Sequence, residues 1–346
     1  MQILIKECEL MSSVAWWHHS HFKDKKYYLI ERARIVRSIR HFFDRHAYIE
    51  VDTPTLQHSP GMEEHVHAFK TELVNVHQDE TRTMYLHTSP EFAMKKLLVA
   101  GMGKIYQMCK CFRNAEGSTI HSPEFTMLEW YHTGVDYHQL MEEVRGLLQS
   151  VTKTFEWKGV ISDPHKKWQK ITVCEAFQMY AELDLESVLE DRDAFAQAAE
   201  KIGIAPHDED TWEDLFFRIF LEKIEHHLGV DVPTFLYDYP ISMAALARPK
   251  AKDPRFAERF EVYICGIELA NGFGELTDAV EQKKRFEEAM GKKAKRYGQT
   301  WPVDDDFIAA LEEGMPPTSG IALGVDRLVM LATGSGRIEK VMSYIP

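Results

Sequence analysis

Long hydrophobic runs are missing from this chain of 346 residues. No apolar stretch approaches the roughly 20 residues that a membrane-spanning helix needs. The start, MQILIKECELMSSVAWWHH, has its hydrophobic stretch broken by Lys6, Glu7 and Glu9, which argues against a secretory signal. A cytoplasmic location is the expectation, with no membrane partner. Cysteine is sparse: the five residues Cys8, Cys109, Cys111, Cys174 and Cys265 form no CxxC pair, and their number is odd. That excludes a disulfide framework and the usual structural zinc motifs. Cys109 and Cys111 share one face of a predicted strand, and buried thiols are the expectation for them. Positive charge is also short, 41 Lys and Arg against 54 Asp and Glu, a net charge of −13. A protein built mainly to grip a nucleic-acid backbone would carry the opposite balance. Internal repeats, low-complexity tracts and heptads are absent, so solenoid and fibrous architectures drop out.

What remains is a soluble-type composition, 45% hydrophobic and 27% charged, with one segment that carries chemistry. FRNAEGSTIHSPEFTMLEWY, residues 112–131, reads as two strands joined by a polar loop that opens on Arg113. A guanidinium at a strand end can hold a phosphate in fork geometry, and Phe125 can lie under a purine. Alternation along the second strand puts Phe125, Glu129 and Tyr131 on one face. One hairpin then carries a nucleotide grip and two polar groups for a second substrate.

Elsewhere the pattern is α/β. Residues 27–46 place Leu29, Ala33, Val36, Ile39 and Phe43 at helical spacing, followed by a short strand at Tyr48–Val51 that Pro54 stops. Met84–His87 is a strand feeding a helix with Ser89 as N-cap and Pro90 in the first helical position. Residues 136–230 are mostly helical by pattern, and 281–313 hold a charged helix and then a shorter one. Gly101-Met102-Gly103 and Gly334-Ser335-Gly336 read as caps or turns rather than phosphate loops. His18, His19 and His21 beside Trp16 and Trp17 read as a flexible N-terminal segment.

The hairpin at 112–131 resembles motif 2 of the class II aminoacyl-tRNA synthetases, most closely the lysyl branch. Residues 29–54, running into VDTPTL at 51–56, resemble motif 1, and GIALGVDRLVML at 320–331 resembles motif 3 with Arg327 at its strand–helix junction. ELANGFGEL, 268–276, lies between the second and third. The resemblance covers roughly 28–342 and implies a class II catalytic domain (α+β), an antiparallel sheet flanked by helices. It implies one catalytic unit at 27–346 with a mainly helical insertion at about 136–230, after an extension at 1–26 that is partly flexible. Motif 1 begins so near the start that the N-terminal OB barrel, which reads the anticodon in lysyl-tRNA synthetases, is expected to be missing. It also implies a homodimer, with ATP and Mg²⁺ as cofactors.

By resemblance, Arg113 and Arg327 are the catalytic cations at the α-phosphate. Asn114, Ala115, Glu116, His121, Phe125, Glu268, Leu269 and Gly324 complete the ATP site, and Glu261 with Glu268 bind metal. Those two glutamates are an odd number of residues apart, so a bulge or break near Gly266 is expected between them. Ser89, Pro90, Glu91, Glu129, Tyr131, Asn271, Phe273, Glu275 and Ala322 surround the amino acid. Glu275 and Tyr131 take the distal ammonium, Glu91 lies near the proximal one, and Asn271 with Arg113 takes the carboxylate. Several carboxylates together select a cationic diamino acid and penalise neutral ones.

Three positions depart from the lysyl pattern. Ala115 stands where Glu is usual, with Glu116 one place later. Ile120 replaces a loop arginine, and Ala322 replaces a glycine on the floor of the amino-acid pocket, which suits a ligand with a shifted amino group. These features resemble the truncated lysyl-tRNA synthetase paralogues that ligate (R)-β-lysine to elongation factor P. The expected partners are therefore (R)-β-lysine or lysine and elongation factor P, with tRNA disfavoured by charge. A free-standing lysyl-activating core and a non-catalytic synthetase-like regulator are the alternatives. Loss of Arg113, Arg327 or the metal-site glutamates would mark the regulator, and all are present.

Overall fold

The computed structural model describes residues 17–344. Among the described residues helix α1 (His19–Arg45) comes first, then short strands β1 (Ile49–Glu50) and β2 (Leu56–Gln57) and the hairpin β3 (Phe69–Val74) and β4 (Thr81–Leu86). Helix α2 (Glu91–Val99) leads into the long hairpin β5 (Lys104–Phe112) and β6 (Glu124–Thr133). Next come α3 (Tyr137–Val151), the small hairpin β7 (Phe155–Trp157) and β8 (Val160–Ser162), and β9 (Gln169–Thr172). Helices α4 (Val173–Ala181), α5 (Arg192–Lys201) and α6 (Trp212–Ile219) follow, then β10 (Thr234–Pro240), β11 (Phe256–Ile264) and β12 (Ile267–Gly274). The chain closes with α7 (Ala279–Tyr297), α8 (Asp305–Gly314), β13 (Thr318–Gly324) and α9 (Val325–Thr333).

Eight strands form one sheet in the order β1-β5-β6-β13-β12-β11-β10-β9. Its six central strands are antiparallel; only the edge pairs, β1 with β5 and β9 with β10, are parallel. Being covered on both faces, the central strands bury both sets of alternating side chains. One face carries the main core, where Leu128, Trp130, Ile321 and Leu323 meet α1, α3 and α9. Phe43 of α1 stacks on Tyr106 of β5 at 4.4 Å and meets Trp130 edge-on. Each such fully buried large side chain stabilises the fold by about 1.5–3 kcal/mol. The opposite face is only partly filled, by α2, α7 and α8 around Phe92, Phe286 and Phe307, and the unfilled part is the functional cavity.

Several expectations change in detail. Residues 1–16, including Met11, Cys8 and Trp16, lie outside the described residues, but the foreseen extension to 26 is helical from His19 onward as the first turns of α1. The buried stripe of α1 is Ile35, Ile39, Phe42 and Phe43, whereas Ala33 faces solvent. Small alanine fits either face, so spacing alone misplaced the stripe by a fraction of a turn. Segment 136–230 contributes more than helices: β9 joins the sheet edge, and α4–α6 build a separate apolar cluster that includes Phe177, Phe195 and Phe216 and extends onto Leu236 and Tyr263 of the sheet. Capping boxes at Asp136, Thr172 and Thr211 fix the starts of α3, α4 and α6. Gly334 ends α9 in the left-handed conformation (φ 66°), the cap its position suggests. No helix among the described residues is long and apolar enough to cross a membrane.

Candidate active site

Strand alternation and register build the site. β13 lies between β6 and β12, with Gly320 paired to Tyr131 and Phe273, and Ala322 paired to Glu129 and Asn271. The small residues of β13 leave an open floor, and the larger neighbours on either side form its walls. A Cβ at Gly320 would overlap the Tyr131 ring and the Glu275 carboxylate, so glycine is required for their approach. The resulting cavity has a volume of about 280 Å³.

One end of the cavity is cationic. Arg113, at the end of β5, stands 5.3 Å over the Phe125 ring, and its buried Nε has no hydrogen-bond partner. A buried, unpaired guanidinium N–H is costly unless an anion arrives. Arg327, in the first turn of α9, donates to the Glu268 carbonyl at 2.8 Å and to Nε2 of His121. Nδ1 of that ring then carries its proton and donates to Ser118 Oγ at 2.8 Å. Burial and the two arginines push the His121 pKa down to about 4, so the imidazole is neutral near pH 7. Glu116 lines this end too, its pKa raised by burial against the pull of Arg113 and Arg327.

The other end is acidic. Glu129 accepts from Ser89 Oγ at 2.5 Å and from the Tyr131 hydroxyl at 2.9 Å. Its pKa is well above the ordinary carboxylate value because it is buried and faces Glu91. Ser89 Oγ also accepts from the Glu91 N–H at 3.0 Å, but Pro90, not Ser89, occupies the N-cap of α2, so the helix starts one residue later than expected. Glu91 and Glu275 both contact the buried Lys95 Nζ, at 2.5 and 2.6 Å. Glu275 is pushed up to about 7 by burial, which outweighs the attraction of Lys95. Burial opposes charge on Lys95 as well, but Glu275 and Glu91 overcome it, so the ammonium stays protonated.

The two proposed metal ligands take different positions. They sit on adjacent strands joined by a tight turn at Cys265 and Gly266, both with positive φ. The register slips at Leu269 of β12, opposite the Val262–Tyr263 step, so the bulge is there and not at Gly266. That extra residue turns Glu268 onto the same face as Asn271 and Phe273. Glu268 lines the cavity and makes no side-chain hydrogen bond or ion pair among the described residues. Its pKa is raised to about 7 by burial and by Glu261. An unpaired carboxylate raised by a second carboxylate fits a hard divalent cation. Glu261, in contrast, does not line the cavity: Arg259 (2.7 Å), Tyr239 (2.5 Å) and Tyr263 (2.7 Å) all donate to it.

Arg113, Arg327, Glu116, His121, Phe125, Glu268, Leu269, Gly324, Ser89, Glu91, Glu129, Tyr131, Asn271, Phe273, Glu275 and Ala322 therefore share one cavity. Asn114 and Ala115 are exposed on the hairpin loop, Ala115 at φ 60°, and neither lines it. Pro90 faces a small neighbouring pocket shared with Ser89 and Glu91. Sequence reasoning missed Lys95, Glu63 on the cavity rim and Arg259 behind Asn271. The four-residue spacing of Glu91 and Lys95, one helical turn, was the available signal for the first.

A cationic end, an aromatic shelf and an acidic end on an antiparallel sheet define a class II synthetase site, and the family match agrees. The chain belongs to the family described as tRNA synthetases class II (D, K and N), whose model matches residues 15–345. Among curated relatives it is similar to proteins named elongation factor P--(R)-beta-lysine ligase. That of Pectobacterium carotovorum subsp. carotovorum (strain PC1) is 42% identical over 91% of this chain and 94% of the relative. The protein of Salmonella arizonae is 42% identical over 96% and 98%, and that of Vibrio atlanticus 44% over 91% and 94%. The chain is thus an enzyme of ligase type.

Proposed function

We propose that this enzyme activates (R)-β-lysine, or lysine, with ATP and transfers it to the ε-amine of a lysine on elongation factor P. The observation that carries the reading is the pairing of unpartnered Arg113 with a carboxylate-walled pocket across one cavity. In the first step a carboxylate oxygen of the amino acid attacks the α-phosphorus, the bond to the β-phosphate bridge breaks, and pyrophosphate leaves. Negative charge grows at the α-phosphate, where Arg113 and Arg327 supply fixed N–H donors. Phe125 supports the adenine, and Asn271 with Arg113 orients the attacking carboxylate. Glu268 would hold a Mg²⁺ ion, which would supply charge neutralisation at the polyphosphate.

Three wall carboxylates less one internal ammonium leave two negative charges when all are ionised. A diamino acid brings two ammonium groups, so its charge matches the pocket and a neutral amino acid leaves carboxylates unpaired. In the second step the neutral acceptor amine attacks the adenylate carbonyl, AMP departs with the bonding pair, and the amine loses a proton to solvent. A protein acceptor suits the net charge of −13 better than tRNA does. The α1 unit is read as a homodimer face, and 27–346 as one catalytic unit with its insertion.

Intact-mass measurement of elongation factor P after incubation with the enzyme, ATP, Mg²⁺ and either lysine isomer tests the proposal. A lysyl-sized mass increase, greater with (R)-β-lysine, is expected. No increase with either isomer, or formation of lysyl-tRNA in its place, would overturn it.

A further inference from the structure

We infer that His87, Cys109 and Cys111 form a binding site for a thiophilic divalent cation, zinc in particular, beside the nucleotide shelf. His87 follows β4 and is held by two backbone bonds, its N–H to Thr55 and its carbonyl from Phe112. Cys109 and Cys111 alternate on β5 and so present both sulfurs to one side. His87 Nε2 lies 3.9 Å from each sulfur, and the sulfurs are 4.0 Å apart. A tetrahedral zinc with ordinary bond lengths sets S···S near about 3.8 Å and S···N near about 3.5 Å. The three ligand atoms therefore need to move by only a few tenths of an ångström.

Geometry also decides against a disulfide. Residues two apart on an antiparallel strand have Cα atoms about 6.8 Å apart, at the outer limit for a disulfide. Closing it would draw the sulfurs together by half their present separation and pucker β5. The metal needs no such change.

His87 is 1% exposed and its Nδ1 has no hydrogen-bond partner. At present Nε2 donates to the Lys110 carbonyl at 2.7 Å. On binding, Nε2 turns its lone pair to the metal, the ring proton moves to Nδ1, and the two thiols release their protons to solvent. The Lys110 carbonyl oxygen, 2.7 Å from Nε2, offers a donor for the fourth position. Thiolates with imidazole select zinc over magnesium, so this site and the carboxylate of Glu268 do not compete for one ion.

The site lies on the catalytic face. Cys111 is paired with Phe125 and Cys109 with Met127 across the hairpin, and both partners line the active cavity. Occupation would fix the β5 side of the shelf, so the expected functional consequence is a changed KM for ATP.

Cobalt(II) and zinc titrations of the full chain test the site. One equivalent of cobalt with a tetrahedral visible spectrum and a thiolate charge-transfer band, displaced by zinc, is expected. Cys8→Ser, Cys174→Ser and Cys265→Ser should retain it; Cys109→Ser, Cys111→Ser and His87→Gln should lose it. Should those variants misfold, mass-spectrometric alkylation of the wild-type chain replaces them, with zinc protecting the half-buried Cys109 but not the half-buried Cys174. No bound equivalent, an octahedral spectrum without thiolate bands, or equal alkylation with and without zinc would each overturn the assignment.

Discussion

Lys95 Nζ lies 2.6 Å from Glu275 Oε2, and both side chains are essentially inaccessible to solvent. The pocket thus contains its own ammonium before any substrate arrives. Lys95 also contacts Glu91, so one cation holds two walls, α2 and the end of β12, at a fixed separation. Removing one partner of a buried ion pair leaves an uncompensated charge, at a cost of about 3–5 kcal/mol. Lys95→Met should therefore lower unfolding stability in urea by that amount. The double variant Lys95→Met/Glu275→Gln should recover part of it; no recovery would mean that packing of the Lys95 stem, and not its charge, matters.

The same carboxylates give substrate binding a pH dependence. Glu275 has a raised pKa of about 7 in the empty site, and ligand ammonium groups favour its ionised form. Proton release is then linked to binding, and affinity for the diamino acid should rise from pH 6 to pH 8 and level off above. The sign for stability is opposite: a carboxylate raised on folding favours the folded state fully below its ordinary value of 4.5, and this contribution is lost as pH rises from there through about 7. Calorimetric titration in buffers of different ionisation heat reads the proton count. Zero release at pH 7 would contradict the assignment.

Arg113 offers a sharper kinetic test. Its Nε is buried without a partner, so the side chain adds little to the empty fold and much to the charged transition state. Arg113→Lys keeps a charge but loses the fork. Amino-acid-dependent pyrophosphate exchange should fall about 10²–10³-fold in kcat/KM, with the melting temperature unchanged within a few degrees. A loss confined to KM would assign Arg113 to ground-state binding alone.

Much of this site was legible because its chemistry lies on strands, where alternation fixes direction. Phe125, Glu129 and Tyr131 reach one cavity face as their spacing required. Less legible were features set by register between distant segments. The bulge at Leu269 depends on how β11 pairs with β12, and no local pattern near Gly266 distinguishes the two places. Glu261 looked equivalent to Glu268 in sequence, yet Tyr239 and Arg259, contributed by β10 and by its own strand, donate to it, whereas Glu268 is left without a side-chain partner among the described residues. His87 comes to Cys109 and Cys111 only through the junction of two sheets. The starts of α3, α4 and α6 rest on capping boxes of four residues each, a local signal that the pattern reading of 136–230 as mostly helical did not use.

Gly320 tests the floor by crowding. Its missing side chain admits both the Tyr131 ring and Glu275, and a methyl there would overlap them. The φ of Gly320 is not in the left-handed region, so Gly320→Ala should keep the strand. The expected result is a rise in KM for the diamino acid of at least tenfold, with KM for ATP little changed. Equal effects on both substrates would show that the hairpin itself had shifted.

Ala322 tests it by relief. Its Cα is registered between Glu129 and Asn271, so its methyl occupies the floor between the acidic wall and the residue assigned to the carboxylate. A ligand whose α-amino group projects toward that floor meets the methyl; one whose amino group sits a carbon further along avoids it. Ala322→Gly should therefore raise pyrophosphate exchange with α-lysine relative to (R)-β-lysine. One methyl in a close-fitting pocket discriminates by roughly 10–200-fold, which bounds the expected change in the ratio of the two kcat/KM values. Glycine within a strand costs about 0.5–1 kcal/mol, too little to unfold a sheet flanked on both sides. An unchanged isomer ratio would remove Ala322 from specificity and shift attention to the Glu91–Lys95–Glu275 wall.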